Sequence, residues 1–339
     1  LAGAPSDDGH VRIQSLDYEG AVDLEVPGAD VPGPPVPGWG LGVYAVMNEL
    51  ARAGFELRGL RACVGSDVPI GAGLSSSSAF EVALVLAARA NAELPLSDWD
   101  IVTTCQGAES RFMGVNSGLM DPFASVFGKD KQALLLDNTS LDWRGVPVSA
   151  AVSEEHEWLV IDSGFQRRLA GTGYNQRRAE CERALGKLRA RGAALETLSE
   201  LGLGELDAAC RELSPVEGRR CRHVVEENER VGAVVSALAD GDSRALGRCL
   251  NASHASLRDL YEVSLPAIDV LVAALQARKD VMGARIMGAG FGGSLIALLR
   301  RGAAKGITEG LLRAWAADSG TSPRAMIVQP SAGATVIDA

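Results

Sequence analysis

The stretch PIGAGLSSSSAFE, residues 69–81, constrains this chain more than any other. Two glycines lead into four consecutive serines. An apolar run follows whose spacing predicts a helix over 75–92. The start of a helix leaves backbone N–H groups unpaired and carries a partial positive charge. Glycines ahead of it let the backbone approach an anion closely, because no Cβ intervenes, and serine hydroxyls add donors. Gly71, Gly73 and Leu74 with Ser75, Ser76, Ser77 and Ser78 therefore make a candidate cradle for the phosphates of a nucleotide such as ATP. A serine-rich cap with no ligand is the other reading of the same residues. The pattern is not a Walker A loop, since no Gly-Lys-Ser/Thr follows. It is not the dinucleotide fingerprint either, since G-x-G-x-x-G fails at Ser76.

The rest of the chain can carry such a site. Its 339 residues, 47% hydrophobic and 22% charged, suffice for two packed domains. A net charge of −10 argues against nucleic acid as the main partner. No apolar run approaches the length of a membrane span, and no signal peptide opens the chain. The six cysteines, Cys63, Cys105, Cys181, Cys210, Cys221 and Cys249, form no C-x-x-C pair and no metal-ligand spacing. They read as reduced thiols, and a cytoplasmic location is the expectation that follows. The chain begins with Leu1 rather than Met, which points to processing or to a longer parent sequence.

Alternation predicts one or two strands over 10–26, and a Pro/Gly loop spans 31–40. Helices are expected over 42–54 and over 96–114, the latter with Ser97 as N-cap. A strand over 57–69 leads into the serine stretch. A turn and a short helix occupy 116–128. The segments QALLLDNTS and EWLVIDSG read as buried strands. The segment 174–192 reads as a helix, and 206–277 is mostly helical. ARIMGAGFGGSLIALL gives a strand, a glycine loop and an apolar segment; a helix over ITEGLLRAWAADSG and a strand over RAMIVQPSAGATVI close the chain. Strands and helices mix without a regular βαβ rhythm, so the expected class is α+β.

PIGAGLSSSSAFEVA resembles the second signature of the GHMP small-molecule kinases, P-x-G-x-G-L-S-S-S. ESRFMGVNSGLMDPFASVFG (109–128) is similar to the galactokinase segment around Gly-Ile-Met-Asp-Gln. GARIMGAGFGGSL (283–295) is similar to the third signature. TGYNQRRAEC, SHASLRDLYEVSLPAID and the closing PSAGA resemble galactokinase as well. These matches follow family order over nearly the whole chain and lie nearer to galactokinase than to mevalonate or homoserine kinase. The resemblance implies an ATP-dependent kinase that phosphorylates the anomeric hydroxyl of a hexose, D-galactose first. It implies a two-domain GHMP fold, with a ribosomal-protein S5-like N-terminal domain over 1–130 and a ferredoxin-like C-terminal domain over 131–339. A monomer or weak dimer is expected, with sugar and ATP as its partners.

The resemblance also implies roles. Asp121 stands at the family's catalytic aspartate, where a carboxylate accepts or orients the proton of the sugar C1 hydroxyl; an Asp capping the helix that follows is the alternative. Glu109 and Ser77 match the pair that ligates Mg²⁺, a small set of hard oxygens of the kind Mg²⁺ takes from protein; for Glu109 the alternative is a surface position on a helix face. Tyr174 matches the family's sugar-contacting tyrosine, with a core tyrosine as alternative, and Gly118 lies in the segment around Asp121. Gly288, Gly290, Gly292 and Gly293 shape the third-signature turn, with Gly288 and Gly290 taken as substrate-binding. Arg177 and Arg178 read as exposed salt-bridge arginines. His10, His156, His223 and His254 read as structural.

The chain departs from the family at its front, where the first signature, roughly Gly-Arg-Val-Asn-Leu-Ile-Gly-Glu-His-Thr-Asp-Tyr, is absent. Two readings are open: a leading segment of the real protein lies outside this sequence, which is the expectation, or the chain is a degenerate relative. Pro122 replaces a usual Gln, Met287 a Thr, Ala289 a Gly, and Leu41-Gly42 an Asn-Tyr. Such changes fit an anomeric kinase for another aldose, since a hydrogen-bonding sugar site discriminates strongly between hydroxyl patterns. A catalytically silent sensor is the third reading.

Overall fold

Alternating hydrophobicity sets the first sheet of the protein. The computed structural model describes residues 1–26, 38–114, 117–165 and 170–337. The chain divides into two units, the first made of residues 1–70, 75–144 and 330–337, the second of 71–74 and 145–329. The Pro/Gly loop expected over 31–40 lies mostly outside the described residues.

The first unit opens with strands β1 (Ala2–Ser6), β2 (His10–Ser15) and β3 (Ala21–Glu25). Helix α1 (Gly40–Arg52) and strand β4 (Gly59–Val64) follow. The sheet order is β1-β4-β2-β3, with β2 parallel to β4 and the other pairs antiparallel. Val11, Ile13, Val22 and Leu24 point every second residue into the core, as period two requires. Strand β1 carries no such alternation. Four of its five residues are exposed, which is why pattern reading passes over it.

Helices α2 (Ser76–Ala92), α3 (Asp98–Phe112) and α4 (Met120–Phe127) complete the site-bearing part. Val43, Val46, Met47 and Leu50 of α1 join Val82, Leu84 and Val85 of α2 and Ile101, Cys105 and Ala108 of α3 in one core with the sheet. Ser97 caps α3 as expected, in a capping box with Asp100. Strands β5 (Gln132–Leu136) and β6 (Trp143–Pro147) form a short ribbon. The buried strand expected at QALLL is only half-buried along its length.

The second unit begins with α5 (Ala150–Glu155) and strand β7 (His156–Asp162). Helices α6 (Ala170–Ala190), α7 (Leu203–Arg211), α8 (Pro215–Asp240), α9 (Ser243–Asp259) and α10 (Pro266–Gln276) follow. Strands β8 (Val281–Ile286), β9 (Ser294–Arg300) and β10 (Arg324–Val328) join β7 in an antiparallel sheet of order β10-β7-β9-β8. Leu159 and Ile161, Ile286, and Leu295 and Leu299 pack with Ile268, Leu271 and Leu275 of α10 and with Ile307, Leu312 and Trp315 from the helical stretch 304–319. A second apolar cluster ties α6, α7 and α8 together through Leu188, Leu206, Cys221 and Val225. None of the six cysteines is in a disulfide.

Candidate active site

The site is built at the mouth of α2. Gly71 and Gly73 turn the chain there with φ of 75° and 73°. Ser75 follows in the left-handed region at φ 58°, ψ 41°, which non-glycine residues rarely adopt. The first intrahelical bond runs from the Ala79 N–H to the Ser75 carbonyl. The amides of Ser76, Ser77 and Ser78 therefore stand ahead of the helical ladder. Ser77 is exposed, Ser75 and Ser76 are half-buried, and Ser78 is buried.

In the first unit this helix mouth meets the acidic residues predicted from sequence. The Ser75 hydroxyl donates to Asp121 Oδ2, in a bond between residues 46 positions apart. Asp121 is half-buried in the first turn of α4. That short helix is fixed by an aromatic cluster: Phe123 stacks on Trp99 at 5.5 Å, and Phe127 lies 4.8 Å from Trp143. Asp121 thus lies in the first turn of α4 but not at its cap, which is Leu119, and its carboxylate is engaged across the fold.

Glu109, half-buried on α3, accepts from the Ser78 hydroxyl at 3.5 Å. Burial pushes its carboxyl above the ordinary carboxylate range; the hydroxyl of Ser117 opposes this, the Asp121 carboxylate adds to it, and the hydroxyls of Ser78 and Ser77 oppose it again. Partly buried carboxylates beside serine hydroxyls give a hard-oxygen donor set whose uncompensated negative charge a divalent cation would relieve, so the residues present fit Mg²⁺. Among the described residues, no three His, Cys, Asp or Glu side chains group to hold a metal ion by themselves. A Cβ built on Gly118 would meet no atom of the described residues within 4 Å.

Sequence reasoning passed over Glu81, one turn inside α2. It is 1% exposed, and neither carboxyl oxygen has a hydrogen-bond partner among the described residues. Burial, with the nearby Glu109 charge, pushes it up to about 9. A glutamate interrupting the apolar run SAFEVALVL is the signal that marks it.

The remaining predicted residues belong to the second unit. Gly71, Gly73 and Leu74 do so, and the Ala72 carbonyl between them accepts from the buried Ser294 hydroxyl at 2.7 Å. That bond links the turn before the serines to the third-signature loop. In that loop Gly288, Gly290, Gly292 and Gly293 have φ of 63°, 78°, 120° and 83°. Gly290 is required twice over, by its φ and because a Cβ there would lie 2.3 Å from the Val263 carbonyl oxygen. Ser163 holds the loop from below, its hydroxyl donating to the Gly293 carbonyl at 2.6 Å. Tyr174 is half-buried in the first turns of α6.

Arg177 departs from expectation. Its side chain is 13% exposed and pairs with the buried Glu180, whereas Arg178 is exposed and pairs with Glu182. Local sequence does not separate the two, because the burying partners come from α8. His223 and His254 are buried, at 7% and 2% exposure; burial lowers the pKa of both. His223 bonds Ser256 and stacks on Tyr261.

Residues 42–129 match the family model of the GHMP kinases N terminal domain, and 234–317 that of the GHMP kinases C terminal. A galactokinase of Roseiflexus sp. (strain RS-1) is 38% identical over 295 residues, which is 87% of this chain and 74% of that protein. A galactokinase of Thermotoga neapolitana is also 38% identical, over 80% of this chain and 75% of its own length. The crystal structure of Lactococcus lactis galactokinase complexed with galactose superposes with a TM-score of 0.91 at 29% identity. The match covers 98% of this chain and 85% of that one. A mevalonate kinase structure shares the fold at a TM-score of 0.62 and 15% identity. No helix among the described residues is long and apolar enough to cross a membrane.

Proposed function

Since this chain belongs to the GHMP kinases, on their galactokinase branch, we propose that it transfers the γ-phosphoryl group of ATP to the anomeric hydroxyl of D-galactose, yielding galactose 1-phosphate and ADP. One observation carries the reading: Asp121 is hydrogen-bonded to Ser75 at a helix mouth whose first amides precede the helical ladder. Phosphoryl transfer asks for an oriented nucleophile and for compensation of phosphate charge, and these are the two things that mouth supplies.

The Ser76, Ser77 and Ser78 amides, behind the Gly71–Gly73 turn, cradle the nucleotide's phosphates. Asp121 accepts the proton of the sugar C1 hydroxyl as its oxygen bonds to the γ-phosphorus. The bond from that phosphorus to the β–γ bridging oxygen breaks, and its electron pair leaves with ADP. The Ser75 hydroxyl orients the Asp121 carboxylate. Tyr174 offers a flat apolar face and a hydroxyl suited to a sugar, and the resemblance to galactokinase assigns Gly288 and Gly290 to the sugar as well. Ser77 and Glu109 would hold Mg²⁺, which supplies charge neutralisation on the phosphates when bound.

ADP release measured with ATP across a panel of monosaccharides tests the function. D-Galactose should turn over fastest. Turnover with another aldose and none with galactose would move the reading to a kinase for that sugar, favoured by Pro122 beside Asp121 in α4. Sugar binding without turnover would make it a sensor. Asp121→Asn should retain ATP binding and lose at least about a hundredfold in kcat. Near-parent turnover would remove Asp121 from the chemistry.

A further inference from the structure

Among the described residues, Arg220 is the largest side chain with under 2% exposure. It sits in α8, within the second unit, and its guanidinium has three partners from two other places. Glu180 of α6 accepts from Nε at 2.6 Å, and the Leu260 carbonyl and the Glu262 carboxylate accept from the two terminal nitrogens. Glu180 is itself filled: Gln176 donates to its other oxygen, and Arg177 pairs with the same oxygen that Arg220 uses. A buried guanidinium is tolerated only when its donors are met, and its planar fork demands fixed directions from the groups that meet them. Arg220 therefore sets where α6 stands relative to the segment 260–262.

That segment is joined to the third-signature turn through the next residue. Glu262 lies in the left-handed region at φ 57°, so the backbone there is bent to a defined shape. The carbonyl oxygen of the next residue, Val263, accepts from the Phe291 N–H at 2.7 Å and is the atom that a Cβ on Gly290 would strike. The Phe291 ring then returns to α6. A Cβ on Gly173 would lie 2.6 Å from the ring, so the ring rests on the bare backbone immediately before Tyr174. The circuit is closed. One arm reaches α6 through Glu180, six residues after Tyr174, and the other through Gly173, one residue before it. Both arms originate in 260–263.

We propose that Arg220, joined to Glu180 and Glu262, is a positioning residue for the sugar: it holds Tyr174 at a fixed place against the glycine turn 288–293. This rests on the reading of Tyr174 as a sugar contact. The hydrogen bonds that make up this network all lie within the second unit, so its effect is expected on sugar affinity and not on nucleotide use.

Steady-state kinetics on the full chain test it. Glu262→Gln keeps the side-chain shape at a partly exposed position, and Arg220→Lys keeps the charge but not the fork. Each should raise the sugar KM about tenfold, with the ATP KM and kcat within about threefold of the parent, as a small misplacement of a binding group does. A merely structural role would lower the unfolding temperature and the active fraction and leave the sugar KM where it was. Tyr174→Ala should raise the sugar KM by itself, and Glu262→Gln added to it should raise it no further. If Tyr174→Ala leaves the sugar KM unchanged, the assignment of Tyr174 fails and this proposal with it. If Tyr174→Ala raises it but Glu262→Gln does not, the proposal alone fails, whatever becomes of the Arg220 variant.

Discussion

Ser75 holds two roles that a substitution can separate. Its backbone is left-handed, which glycine adopts freely, and its hydroxyl engages Asp121. Ser75→Gly should leave stability within about 1 kcal/mol of the parent while kcat falls about tenfold, because only the orienting bond is lost. Ser75→Ala loses the same bond and keeps a Cβ in the strained region, so it should share the fall in kcat. Parent-like kcat in Ser75→Gly would detach Ser75 from Asp121. For the exposed Ser77, Ser77→Ala should fold normally and need several-fold more Mg²⁺ for half-maximal activity. An unchanged Mg²⁺ requirement would remove Ser77 from the ion's ligands. Both residues were legible from the serine run. The Ser75–Asp121 bond was not, since nothing in local sequence says that α4 returns to the mouth of α2.

Among the elements, α4 depends on the far end of the chain. The Ala334 N–H donates to the Ser125 carbonyl at 2.7 Å and the Gly333 N–H to the Gly128 carbonyl at 2.9 Å. A Cβ on Gly333 would lie 2.2 Å from the Val126 carbonyl oxygen. Gly333→Val should therefore force the tail off the end of α4, lowering unfolding free energy by about 1–3 kcal/mol and lowering activity through Asp121. Urea unfolding with the same midpoint as the parent would show that the tail does not brace the helix. The long helices were readable because their apolar period persists over many residues, as in α2 and α3. Strand β1 and helix α5 were not: one is an exposed edge with no alternation, the other a six-residue turn of helix set by tertiary contacts. Arg177 failed for a related reason. Its sequence neighbours make it look like a surface arginine of α6, and only the arrival of Arg220 on α8 buries the carboxylate they share.

At the scale of the whole molecule, Glu81 turns a local burial into a dependence of global stability on pH. Among the described residues, the titratable groups that interact with it are the Glu109 carboxylate and the Cys105 thiol, both on α3, and neither offers a compensating positive charge. The folded carboxyl holds its proton to about 9, against an ordinary value of 4.5, so between these values the folded chain binds more protons than the unfolded one. Stability from this group is fully present below about pH 4.5 and is lost as pH rises through about 9. The slope approaches about 1.4 kcal/mol per pH unit in that window. Glu81→Gln keeps the shape of the neutral acid and releases no proton. The variant should match the parent near pH 5 and exceed it increasingly toward pH 8.5, read by urea unfolding across that range. A constant difference between the two across the range would mean that Glu81 ionises normally in the fold. An unpartnered, neutral acid inside α2 would then be the wrong description of the helix that presents Ser75–Ser78.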